Sequence, residues 1–323
     1  MLRPKGHVSL TRLISPAPSA ERTEDRLRNG VIAALIAYTM WGFLPIYFKV
    51  VGTVPAIEVL AHRIVWGVPF GAIIIMLRRQ WPAVRQALRH PRTLGLLALS
   101  ATFIALNWLV YIVAVQGEQI FQASLGYYIN PLMYVLIGIT LLGERLRRNQ
   151  LIAVLLAAAG VAVLTVSGGQ FPLISLTLAT SFTIYGVIRS RVDVGGMPGL
   201  FVETLLLLPL AVGYLLWVTF AASSAFVASQ PLLAVLLMLA GPITVVPLLC
   251  FALAARRLRL STIGIMQFIA PTLQFLVGLM YGEQLTVPHI ICFTLIWIAV
   301  AVFSWDAWRA TRHREPVPVT DLS

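Results

Sequence analysis

The chain has 323 residues, 59% of them hydrophobic and only 11% charged, and its mean hydropathy is +0.88. Soluble domains are about 25% charged, so this composition excludes a water-soluble enzyme and implies an integral membrane protein. The net charge of +12 does not point to nucleic acid as a partner, because the arginines are scattered through short loops between apolar stretches, where they set orientation.

Residues 1–28 carry Arg3, Lys5, Arg12, Arg22, Arg26 and Arg28 with Glu21, Glu24 and Asp25. They lack the apolar core of a cleavable signal and read as a basic cytoplasmic tail. Ten apolar segments follow, near 30–51, 56–77, 94–115, 123–142, 151–166, 173–188, 199–220, 231–252, 262–280 and 287–305. Each is close to the roughly 20 residues a helix needs to cross hydrocarbon, and their unbroken apolar character excludes a β-barrel. The expectation is an all-α integral membrane protein of ten transmembrane helices. The longest polar stretch between them, 78–92, reads as a loop, and 309–323 as a second cytoplasmic tail. Cys250 and Cys292 fall near opposite membrane faces and are not expected to pair.

The cations fix the orientation. Of the 24 lysines and arginines, all except Lys49 and Arg63 lie in the two tails or in the loops after the second, fourth, sixth and eighth segments. The positive-inside bias then puts both termini in the cytoplasm. Lys49 and Glu58 fall near the outer interface. At about 1.5 Å of rise per residue, His62, Arg63 and Asn130 lie roughly 10 Å deep, with Asn107 and Trp108 at a similar level. Such groups normally face the bundle interior or a water-filled cavity.

Each has two readings. Lys49 is a snorkelling interfacial lysine, with Glu58 as its ion partner or as a charge favoured by the helix macrodipole. His62 and Arg63 form an interhelical polar lock or handle substrate. Glu58 and His62, four apart, share a helix face, and Arg63 is turned well away from Glu58. Pro131 leaves the carbonyl of Tyr127 without its helical partner, and Pro271 does the same for Gln267; these kinks are packing features or binding-site breaks. The tryptophans are, by default, packing or interfacial belt.

One stretch recurs. In SLGYYINPLMYVLIGITLLGERLRR, from Ser124 to Arg148, a proline is followed seven residues on by glycine and then by a Gly-Glu pair (Pro131, Gly138, Gly143-Glu144). STIGIMQFIAPTLQFLVGLMYGEQL, from Ser261 to Leu285, repeats it with Pro271, Gly278 and Gly282-Glu283. These are the fourth and ninth segments, so the repeat unit is five helices. An odd unit crosses the membrane in opposite senses, giving two inverted five-helix repeats over 29–168 and 169–308. Glu58 and Glu203 echo each other at opposite faces. Inverted repeats are the architecture of secondary transporters.

The blocks WGFLPIYFK (Trp41 to Lys49), EVLAHR (Glu58 to Arg63), Asn107-Trp108, ASLGYYINPL (Ala123 to Leu132), Gly143-Glu144-Arg145, Glu203-Thr204 and the run from Val246 to Pro271 carry a resemblance. The chain resembles the RarD branch of the EamA-type transporters in the drug/metabolite transporter superfamily, over about 29–306. The resemblance implies an inner-membrane permease of two inverted EamA repeats, from a branch whose name is linked to chloramphenicol sensitivity.

No GxxxxGK[ST] phosphate loop occurs, so transport is expected to be secondary and not ATP-driven. Neither a cofactor nor a metal is expected, and the partners are the lipid bilayer and a small solute, with proton coupling open. The candidate substrate and coupling residues are Glu58, His62, Arg63, Asn107, Trp108, Tyr127, Asn130 and Gln267, with helix breaks at Pro131 and Pro271. In this reading Glu58 and His62 form a protonation-sensitive pair, and Arg63 and Asn130 contact an anionic or amide-bearing solute. A channel and an intramembrane enzyme remain as alternatives, although no G-x-S-x-G, no H-E-x-x-H and no paired aspartates within the spans support catalysis.

Overall fold

The computed structural model describes residues 20–142, 148–168, 171–221, 225–226, 230–258 and 260–312. Gly143, Glu144, Arg145, Arg147 and both tail ends lie outside this set. The described chain forms thirteen helices: α1 (Ala20–Gly42), α2 (Leu44–Val50), α3 (Ala56–Leu77), α4 (Trp81–Arg89), α5 (Pro91–Gln116), α6 (Ile120–Leu142), α7 (Arg148–Gly168), α8 (Leu173–Ser190), α9 (Gly196–Phe220), α10 (Pro231–Ala255), α11 (Leu260–Met266), α12 (Ile269–Met280) and α13 (Val287–Arg312). Ten spans are long and apolar enough to cross a membrane. α1 with α2 forms the first and α11 with α12 the ninth, so the protein is a multi-pass all-α membrane protein.

The packing follows the two-fold relation between the halves. α1 packs on α10 as α5 packs on α8, α3 on α10 as α5 on α9, and α6 on α8 as α1 on α12. Exchanging each span for the one five places along converts one member of each pair into the other. Three further pairs, α3 with α9, α6 with α12 and α7 with α13, map onto themselves and so lie on the pseudo-two-fold axis. An odd number of spans per half makes this relation an inversion in the membrane, as two inverted five-helix repeats require.

Three details differ from the sequence reading. The first span bends at Phe43, because Pro45 at the start of α2 has no N–H to offer the Trp41 carbonyl. That freed carbonyl instead accepts a hydrogen bond from Gln274 Nε2 of α12 at 3.1 Å, so a neighbouring helix satisfies it as a lipid environment demands. The ninth span breaks at Gln267–Phe268, upstream of Pro271, whereas α6 runs unbroken through Pro131. The two spans cross there: Ser124 Oγ donates to the Pro271 carbonyl at 2.8 Å, and the Tyr128 and Thr272 hydroxyls stand 2.6 Å apart. Finally, 78–92 is not a simple loop. Val84 and Ala87 of α4 are buried and Trp81 meets Phe201 edge-on, while Arg85 and Arg89 face outward. The i, i+3 spacing of 81, 84 and 87 gives the helix one apolar face, which explains why it forms.

Candidate functional site

Arg63 lies on α3 about one turn beyond Glu58 and is only 6% exposed. Its Nε donates to Thr244 Oγ1 of α10 at 2.7 Å, and that hydroxyl donates in turn to the Ala240 carbonyl at 2.8 Å. The guanidinium carbon sits 4.3 Å from the ring centre of Trp108 on α5 and 5.9 Å from that of Phe48 on α2. Tyr47, Tyr111 and Tyr127 are near enough to interact electrostatically with it. Nη1 is buried with no hydrogen-bond partner, as is the Tyr111 hydroxyl, although Tyr111 is only 2% exposed. Among the described residues no carboxylate forms an ion pair with Arg63. A cation–π contact offsets about 2 kcal/mol, against a desolvation penalty of several kcal/mol for a buried ion.

Asn107 and Tyr127, both expected site residues, belong to the same group. Tyr127 Oη donates to Asn107 Oδ1 at 3.2 Å, and Asn107 Nδ2 donates to the Leu178 carbonyl at 2.9 Å and to Ser181 Oγ at 3.1 Å. Tyr47 Oη donates to the Leu236 carbonyl at 3.0 Å. The site therefore takes side chains from α2, α3, α5 and α6 in the first half and from α8 and α10 in the second. The Tyr127 ring meets that of Tyr111 at a tilt and that of Phe182 edge-on, with centroids at 5.6 and 6.2 Å.

Other expected residues stand apart. Both ring nitrogens of His62 are buried without a hydrogen-bond partner, so His62 does not bond Glu58; its ring lies 5.0 Å from that of Phe226. Glu58, fully buried, accepts from the Ala225 backbone N–H at 2.8 Å. Asn130 is buried with Oδ1 unpartnered, and hydrogen bonds do not join it to Arg63. Gln267 occupies the break between α11 and α12. Lys49 is paired with Glu118 (3.8 Å), not with Glu58, and its side chain is mostly covered beside the Tyr281 ring.

The sequence reading missed a second buried group, at the arginine-rich end of the bundle. Glu203 of α9 is fully buried; its Oε1 accepts from Ser100 Oγ at 2.6 Å and lies 3.4 Å from Arg189 Nε, and its Oε2 accepts from the Tyr185 hydroxyl at 3.4 Å. Arg189, which the sequence places among the orienting loop arginines, folds inward instead. The same end holds a cavity of about 540 Å³ lined by Asp25, Arg26, Asn29, Arg78, Arg256 and Arg257.

At the opposite end, the Gly282-Glu283 pair of the second repeat has a structural task. Gly282 takes φ +80°, a conformation that a side chain disfavours, and the turn aims the Glu283 carboxylate at the start of α6. There it accepts from the Ile120 N–H and, at 2.8 Å, from the Phe121 N–H. This satisfies backbone donors that every helix start leaves open. Burial raises the Glu283 carboxyl above its ordinary value; the Phe121 and Ile120 N–H groups and Lys49 oppose the rise, and Glu118 adds to it. A raised carboxyl favours the protonated fold, so its contribution to stability is full in acid and declines as pH rises through the raised value. Compared with Glu283→Gln, the wild-type thermal midpoint in detergent is therefore expected to fall between pH 4 and pH 8. Parallel curves would show that burial does not dominate.

The EamA-like transporter family model matches residues 28–166. The chain is 46% identical over 288 residues to the "Protein RarD" of Salmonella typhi, covering 89% of this chain and 98% of that one. It is 45% identical over 284 residues to an "Uncharacterized transporter" of Vibrio cholerae serotype O1, covering 88% and 94%. A solved crystal structure superposes with a TM-score of 0.57 at 22% identity, covering 88% of this chain and 99% of that one. At that identity it shows a shared fold and nothing more.

Proposed function

Because the chain belongs to the EamA-like transporter family, in its RarD branch, we propose that this membrane transporter is a secondary carrier that moves its small solute by alternating access across the inner membrane. The observation that carries this reading is the exchange symmetry of the helix packing together with a site built from both halves around Arg63. A site at the junction of two inverted repeats is exposed to opposite faces when one repeat rocks against the other. The arginine-rich end is the cytoplasmic face by the positive-inside bias, and both termini lie on that side. With no phosphate loop in the sequence, ATP does not drive the cycle.

The test begins with solutes whose distribution differs between cells with and without the protein, and continues with the purified chain in liposomes. A carrier saturates and is stimulated by solute on the opposite side. Flux that rises linearly and shows no counterflow would make the protein a channel instead.

Glu58 and His62 are assigned to coupling, each by itself, since no hydrogen bond joins them. Glu58→Gln and His62→Ala are each expected to change the uptake rate and its pH profile. If both variants keep the wild-type rate and profile, neither residue takes part in coupling.

A further inference from the structure

We infer that the transported solute is a small organic carboxylate with an apolar, and preferably aromatic, body, and that Arg63 reads its charge. The inference rests on the carrier reading above and names the substrate class of the same site.

The guanidinium cannot escape its charge, since arginine stays protonated in proteins. Burying it without an anion is costly, and among the described residues no carboxylate pairs with it. A neutral solute could accept a hydrogen bond from it but would leave its charge uncompensated. One edge of the fork is used on Thr244, while Nη1 is unfilled, and a planar carboxylate matches an arginine fork in geometry and charge. The buried, unpartnered Tyr111 hydroxyl is a second donor in the same group.

The charge of the solute is limited to about one. Lys49, the other cation outside the orienting loops, is engaged with Glu118, so a phosphate dianion would face a single guanidinium. The surroundings suit an aromatic body: the Trp108 and Phe48 rings lie against the guanidinium, Tyr111 meets both Phe48 and Tyr127, and Phe182 adjoins Tyr127. An anion is also compatible with the pocket at the arginine-rich end, which presents Arg26, Arg78, Arg256 and Arg257 against Asp25, a surface field that attracts anions.

The experiment compares cells carrying no protein, the wild type, Arg63→Gln and Arg63→Lys by untargeted mass spectrometry of cells and medium. Vesicle uptake of each affected solute is then measured beside its methyl ester. The affected solutes are expected to be monocarboxylates, with the ester excluded. Arg63→Gln should lower uptake by at least about 30-fold, the lower end for truncating one partner of a buried charge pair, and Arg63→Lys should fall between the two. Membrane abundance and thermal midpoint accompany each variant; if Arg63→Gln does not accumulate, the acid-against-ester comparison on the wild type decides. Neutral, cationic or phosphorylated solutes, or esters carried as fast as acids, overturn the inference and leave the carrier reading intact. If no solute differs between cells with and without the protein, the carrier reading fails and this inference fails with it.

Discussion

Replacing Glu203 with alanine is expected to destabilise the protein by about 3–5 kcal/mol, the cost of stripping one partner from a buried ion pair. The carboxylate lies between Arg189 of α8, Ser100 of α5 and Tyr185 of α8, and is held by α9. Its side chain is 1% exposed and that of Arg189 13%, so water cannot take over the lost charge. Arg189 Nη2 reaches toward the Val194 and Gly195 carbonyls only at 3.3 and 3.4 Å, and its guanidinium lies against Gly199 where any side chain would displace it. The variant therefore leaves a cation in place with weak acceptors. Equilibrium unfolding in mixed micelles measures the loss, and Glu203→Ala combined with Arg189→Leu should recover most of it, because apolar replacement of a whole buried pair is often near neutral. A loss below about 1 kcal/mol, within the range of exposed ion pairs, would mean that the pair is solvated. The group joins α5, α8 and α9 at one end of the bundle.

Gly241→Val is expected to cost about 3 kcal/mol, the upper end of ordinary overpacking, and to lower the amount of protein held in the membrane. A Cβ at Gly241 would stand 2.5 Å from the Trp66 carbonyl oxygen and 2.6 Å from its carbonyl carbon. The obstacle is backbone, which a rotamer change cannot relieve, so α10 must move off α3. Association of helices in lipid depends on such close approach, since no hydrophobic effect drives it. Arg63 and Thr244 bridge the same two helices three residues further along α10, so solute uptake should fall along with stability. Gly95→Val is the control: nothing lies within 4 Å of a Cβ there, and the two variants should differ clearly in thermal midpoint.

Much of this was legible in one dimension. The number of spans follows from runs of apolar residues, a local property of the chain. The repeat was legible because Pro131 and Pro271 carry glycines and a Gly-Glu pair at nearly matching distances. Of the expected site residues, Arg63, Asn107, Trp108 and Tyr127 come together in one group, while Glu58, His62, Asn130 and Gln267 stand elsewhere. Depth selected most of them and the proline breaks selected Tyr127 and Gln267, and neither says which way a helix is turned.

The partners were decided only by the tertiary structure. Arg63 meets Thr244 across 181 positions and Gln274 meets Trp41 across 233, separations over which no spacing rule operates. Thr244, Tyr47 and Tyr111 gave no signal, because a threonine or tyrosine in an apolar helix looks like packing until its neighbours are known. Arg189 was misread because loop arginines normally face water, whereas here Glu203 draws it inward. The sequence determined how many times the chain crosses the membrane, because hydropathy acts on each segment separately. Which buried groups share a site was left to the packing of the two halves, because a polar atom in a low-dielectric interior takes whichever partner the fold brings within reach.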